Sequence, residues 1–197
     1  MKEKKGLLAK INSKAGFIAA ILLTAFLTIV VAFFSSDVIH ATGTPEFCGS
    51  CHEMDTFVKA YERDIHGGAN RAGIKADCAT CHLPQDSTLD YMATKVVSGA
   101  KEVKSHFVGS YSKKEYYENL KNREEFVYSS GCISCHKEVD SGKLKSDNAK
   151  AQKMHTYYRS KKGTSRAIEC ASCHIDVGHN GELPQALSDL ENLSNEK

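Results

Sequence analysis

All eight cysteines of this chain lie in four copies of one pattern, Cys-x-x-Cys-His, and no other feature narrows the possible folds as far. The copies are Cys48, Cys51 and His52; Cys78, Cys81 and His82; Cys132, Cys135 and His136; and Cys170, Cys173 and His174. Two thiols three positions apart each add to a vinyl group of one haem, and the adjacent histidine then lies beneath the iron as an axial ligand. Zinc clusters or disulfides give no reason for a histidine after every second cysteine. The pattern implies four covalently attached c-type haems.

Ahead of the first copy runs an uncharged stretch from Ala15 to Phe34, AGFIAAILLTAFLTIVVAFF. A helix of that length is about 30 Å long, the hydrocarbon thickness of a bilayer, so it can span once. Lys2, Lys4, Lys5, Lys10 and Lys14 precede it against Glu3 alone, so the positive-inside rule keeps residues 1–14 in the cytoplasm and exports the chain beyond Phe34. A cleaved signal peptide is the competing reading. The stretch is longer than the usual apolar region of such a peptide, and no clean small-x-small site comes after it. Export agrees with the motifs, because haem is attached to paired thiols on the exported side of the bacterial inner membrane.

The formal charge of +2 belongs largely to that basic start; residues 15–197 carry 21 basic and 23 acidic side chains. A mildly acidic exported part gives no support to nucleic-acid binding. It offers about 40 residues per haem, near the size below which a chain needs a metal or crosslink to fold. The haems are therefore expected to form the core of a domain over residues 35–182, mainly α with much irregular structure and almost no sheet. Residues Leu89 to Phe107 and Lys113 to Tyr128 are the best helix candidates, rich in helix formers and free of proline. Residues 183–197 read as a polar tail.

The motifs form an internal repeat of two related two-haem modules, about 44–110 and 128–182, each enclosing one further histidine, His66 or His155. His66, His155 and His179 are the favoured distal ligands. His106 lies in a lysine-rich helical stretch and reads as a surface histidine. His40, six residues past the apolar stretch, could ligate or handle protons, and position decides neither. Three distal histidines leave one haem short. Met54, two residues after His52, offers a thioether for it, although a methionine there more often packs.

The anchor, the four motifs and the C-x-x-C-H-x-M start are joined by further matches. I-H-A-T-G-T-P-E-F-C leads into the first motif, H-G-G and G-I-K-A-D-C precede the second, and C-H-L-P with L-D-Y-M-A-T-K comes after it. K-M-H-T precedes the fourth motif and H-I-D-V-G-H surrounds it. In these residues nearly the whole chain resembles the NapC/NirT family of membrane-anchored tetrahaem quinol dehydrogenases, which includes NrfH and CymA. The resemblance implies two pseudo-twofold modules with the first haem at the membrane surface. It implies Met54 on that iron with His52 off it, as in NrfH-like members, and His66, His155 and His179 as distal ligands. NrfH-like members can lack the histidine matching His155, so its presence points to the NapC or CymA type, which serves several partners. The same resemblance assigns Asp90 and Lys95 to a quinol site; Gln85 departs from the basic or histidine residue common there.

The function expected is oxidation of membrane menaquinol or ubiquinol and delivery of electrons to a periplasmic reductase for nitrate, nitrite or another oxidant, or to a soluble cytochrome. The resemblance also implies a dimer or a complex with the reductase. A tethered relay between proteins, without quinol chemistry, is the alternative. A terminal reductase fits less well, because no motif has lysine in place of histidine and the chain is too short to shape a substrate cavity.

Overall fold

The computed structural model describes residues 14–108 and 119–188. They divide into two compact units, one ending at Thr42 and the other beginning at Gly43. The first is a single helix, α1, Lys14–Ala41, none of whose residues is buried. It extends seven residues beyond the expected span, through Ser35, Ser36 and Asp37. Thr28, Ser35 and Thr42 return their hydroxyls to the carbonyls of Thr24, Val31 and Val38 at 2.9, 2.7 and 2.8 Å. Each hydroxyl is thus satisfied inside the helix, as an apolar surrounding demands. The outward Phe17, Ile29 and Phe33 are more than three-fifths exposed, so the helix is apolar all round, as a single-pass anchor must be. His40 sits exposed in its last turn.

The second unit is built of short helices and loops. In chain order it contains α2, Pro45–Cys48; α3, Asp55–Glu62; α4, Cys78–His82; α5, Thr88–Val108; α6, Ser129–Cys135; α7, Lys137–Ser141; and α8, Ala149–Lys161. Among the described residues there is no strand, only an isolated bridge between Gly67 and Lys75. The expected helix over Leu89–Phe107 is α5. The expected helix over 113–128 falls partly outside the described residues. Of its described part, residues 119–121 are helical and Arg123–Glu125 form a 3-10 turn. Among the described residues the apolar ones buried are Ala60, Tyr61, Leu83, Ala171, Ala186 and Leu187, far too few to sustain a domain of this length by themselves.

Ala186 and Leu187 correct the boundary expected at residue 182. Residues 183–188 form a further helical turn, with Pro184 in its first turn, and two small apolar side chains pack inward from it. A polar tail can begin no earlier than residue 189, outside the described residues.

Two close approaches hold the loops. The Tyr61 hydroxyl donates to the Ala76 and His66 carbonyls at 2.7 and 3.2 Å, and Gly67 passes so near that a Cβ there would fall 1.9 Å from the Tyr61 carbonyl oxygen. The H-G-G sequence is thus a steric requirement of the turn that presents His66. Likewise a Cβ on Gly131 would fall 1.8 Å from the Thr80 carbonyl oxygen, where α6 lies against α4.

Candidate haem-binding site

The four motifs meet in order. The thiols of Cys48 and Cys78 act electrostatically on each other, as do those of Cys132 and Cys170, so the first cysteines of each two-motif module converge. The second and third motifs meet where α6 packs on α4, with the Tyr128 amide donating to the Cys81 carbonyl at 2.9 Å. Ser129 accepts from the Cys170 amide at 2.7 Å and ties the third motif to the fourth. Four attachment sites therefore form an unbroken sequence from Cys48 to His174.

Every motif histidine faces a histidine from elsewhere in the chain. Ring centres are 6.4 Å apart for His82 and His179, 6.2 Å for His136 and His66, and 6.1 Å for His174 and His155. Two metal–imidazole bonds of about 2 Å each put ring centres roughly 6 Å apart, so each pair is spaced to hold one iron between its rings. These residues fit haem. His66 belongs to the first module and faces the third motif; His179 lies past the fourth motif and faces the second. These pairs thus cross between modules, whereas His155 pairs within its own.

In the His82–His179 pair the nitrogens not facing the partner ring are anchored. A carbonyl oxygen only accepts, so His82 and His179 must each donate from Nδ1, to Phe126 at 2.9 Å and to Phe57 at 3.1 Å. That fixes the tautomer with its lone pair on Nε2, the nitrogen left for a metal. The crowded chain around them acts in the same direction. Desolvation pushes His82 below the usual imidazole range and, with His82 beside it, takes His179 down to about 4. His155 is lowered as well, by burial first and then by His174 and Arg159.

His66 is held by Asp64, a carboxylate only 5 % exposed. Its Oδ1 accepts from the His66 amide at 2.8 Å and lies 2.9 Å from His66 Nδ1; its Oδ2 accepts from the Gly178 and Asn180 amides at 3.1 and 3.0 Å. Burial alone would raise this carboxyl, but the N–H groups of His66 and Asn180 outweigh it and hold it below the ordinary range. One buried side chain therefore positions both crossing histidines, His66 directly and His179 through the loop on either side of it.

The first motif is different. His52 and His106 have ring centres 5.9 Å apart, but Glu53, 5 % exposed, stands between them. His52 Nε2, the nitrogen a metal would need, lies 3.1 Å from Glu53 Oε1, and His106 Nδ1 lies 3.1 and 3.2 Å from the two carboxylate oxygens. Burial raises the Glu53 carboxyl, while its own amide and His106 lower it by more. Met54 is half-buried at the end of the same 3-10 turn, His52–Met54.

His106 reaches this cluster because one stripe of α5, Lys95, Glu102 and His106, recurs at helical spacing and lies by the first motif. Lys95 and Glu102 both act electrostatically on Cys48, and Lys95 Nζ sits 5.7 Å from the Tyr91 ring centre. Burial lowers the Lys95 ammonium, and the nearby Cys48 raises it in part. His106 is exposed, as the surface reading has it, and is in addition paired to a buried carboxylate. Its eleven-residue interval from Lys95, close to three helical turns, was the signal available in the sequence. Asp90 lies on a different face of α5 from Lys95 and is exposed. Gln85 donates its amide to the Ala79 and Leu83 carbonyls at 2.9 and 3.0 Å, closing the end of α4.

The chain matches the model of the NapC/NirT cytochrome c family, N-terminal region, over residues 10–186. It is 26 % identical over 180 residues to the tetraheme c-type cytochrome CymA of Shewanella oneidensis, covering 87 % of this chain and 95 % of that one. It is 31 % identical over 150 residues to the cytochrome c-type protein TorY of Escherichia coli O157:H7, covering 72 % of this chain and only 38 % of that longer relative. Among solved structures it resembles a chain in the cytochrome c nitrite reductase NrfHA complex bound to the HQNO inhibitor. There the TM-score is 0.50 at 21 % identity, over 81 % of this chain and 90 % of that one, a likeness of fold.

Proposed function

From membership of the NapC/NirT cytochrome c family, to which this chain belongs by its match over residues 10–186, we propose that the protein oxidises membrane quinol and passes the electrons to a periplasmic terminal reductase. Tetrahaem electron transfer toward reductases is the family's role; quinol as the donor is our reading. The observation that carries it is the unlike first site. Three motifs pair two histidines with free Nε2 atoms, and the motif closest in sequence to the anchor does not. We place α1 in the bacterial inner membrane with its amino terminus cytoplasmic and the haem domain periplasmic.

The haems supply one-electron redox chemistry when bound. Each would be held by the two cysteines of its motif, and the pairs His82 and His179, His136 and His66, and His174 and His155 would hold the irons of the second, third and fourth. For the first we propose Met54 in place of His52, whose Nε2 is engaged by Glu53. Lys95, beside Cys48, offers a cation to a quinol oxygen, and His106 presents Nε2 as a place to hold a released proton while Glu53 secures Nδ1. Asp90 enters the site on the family resemblance alone.

The test is anaerobic mixing of the detergent-solubilised protein with a menaquinol analogue, monitored by haem absorbance. Lys95→Ala and Asp90→Asn are each expected to slow reduction at least tenfold, about 1.4 kcal/mol in the barrier, while leaving the dithionite endpoint unchanged. Reduction by dithionite but not by quinol would leave a tethered relay. A separate prediction concerns Glu53→Ala. It frees His52 to compete with Met54, so the thioether–iron charge-transfer band is expected to disappear and the first haem's potential to fall. Absence of that band from the unaltered protein would refute the Met54 assignment.

A further inference from the structure

The charge of the exported part is not evenly spread. Residues 143–166 hold eight basic side chains and one acidic one, whereas the remainder of residues 15–197 holds 13 basic and 22 acidic. The basic segment includes α8, and α8 carries His155, which faces His174 of the fourth motif at 6.1 Å.

Local stability does not account for this charge. Arg159 and Lys161, in the last turn of α8, complement the helix dipole, and Lys162 pairs with Asp140. Lys150 and Lys153 do the opposite. They stand in the amino-terminal half of α8, where a positive charge opposes the dipole, and three residues apart, where like charges repel. Lys143, Lys145, Lys150, Lys153 and Arg166 are all exposed and make no ion pair among the described residues. Lys150 and Lys153 lie within about a turn and a half of His155.

We propose that this basic collar around the fourth haem site is the docking surface for an acidic protein that accepts electrons there. The inference rests on the reading that electrons leave the chain to a protein partner, and it adds where and by what chemistry. A cationic rim on an otherwise acidic domain orients an acidic partner toward one end of the motif series and repels it from the rest. The partner's own electron-accepting site is thus expected to be ringed by Asp and Glu.

The experiment uses the full four-haem protein reduced by dithionite, so quinol chemistry has no part in it. Two acceptors that differ essentially in charge are mixed with it: basic mitochondrial cytochrome c and the same protein with its lysines succinylated. At low salt the acidic form is expected to be reduced at least tenfold faster, and the advantage should shrink as ionic strength rises. Lys150→Glu with Lys153→Glu should abolish or invert the preference, and Lys150→Arg with Lys153→Arg should retain it. Equal rates with both acceptors, or a preference untouched by charge reversal, would overturn the proposal. So would a collar whose reversal changes only binding to phosphatidylglycerol vesicles, which would make it a lipid surface. The salt series on the unaltered protein stands without any variant, and normal quinol-driven reduction alongside a failed series would separate this inference from the quinol reading.

Discussion

Replacing Asp64 by alanine is expected to damage two haem sites at once, those of the second and third motifs, although Asp64 belongs to no motif itself. Its carboxylate receives the His66 amide, and Oδ1 lies within hydrogen-bond distance of His66 Nδ1, while the other oxygen receives the Gly178 and Asn180 amides on either side of His179. Hydrogen bonds to a charged acceptor are worth about 1.5–3 kcal/mol each, and truncation leaves buried N–H groups without partners. The expected loss is at least about 4 kcal/mol, on the order of 10 °C in Tm for a chain of this size. The sharper readout is spectroscopic. Paramagnetic resonance should show the low-spin bis-imidazole signals of two haems lost or altered while that of the fourth motif, served by His155 within its own module, persists. Asp64→Asn keeps one acceptor oxygen and the shape of the side chain, so an intermediate result is expected. If both crossing haems keep their signals in Asp64→Ala, the carboxylate does not position them.

A single methyl group at Gly131 is expected to have an effect of comparable size. An alanine Cβ would lie 1.8 Å from the Thr80 carbonyl oxygen, and that oxygen belongs to the backbone of α4, which cannot swing aside as a side chain can. Relief requires α6 to retreat from α4, breaking the bond from the Tyr128 amide to the Cys81 carbonyl and misaligning both crossing histidines. Overpacking of this severity costs at least about 3 kcal/mol. Gly131→Ala should therefore lower the yield of four-haem protein and slow equilibration between the second and third haems in flash reduction. Gly99→Ala is the control. It lies inside α5 with nothing within 4 Å of a Cβ, so helix propensity makes it neutral or stabilising by up to about 1 kcal/mol. Equal behaviour of the two variants would show that the close approach is not required.

Glu53 and the basic collar are accessible to mutation because each is compact in sequence: His52 and Glu53 are adjacent, and Lys150, Lys153 and His155 share α8. Asp64 and Gly131 are different in kind. Nothing in D-I-H-G-G marks its aspartate as a partner for a loop more than a hundred residues away, and nothing in S-S-G-C marks its glycine as the seat of a backbone carbonyl.

What the sequence alone determined is what short-range covalent spacing dictates. Thiols three apart with histidine next in line specify haem attachment, twenty uncharged residues specify one apolar helix long enough to span, and helix formers without proline specify α5. His66, His155 and His179 could be singled out too, since few histidines lie outside the motifs. Their pairing could not. His66 reaches His136 and His179 reaches His82, across 70 and 97 residues, and such contacts leave no periodicity because the intervening loops carry no regular repeat. The same holds for His106 and Glu53, which meet across 53 residues and turn the first motif into an exception. Tertiary structure alone decided these, because a ligand's partner is fixed by where chain segments cross, and crossing is set by packing between segments remote in sequence.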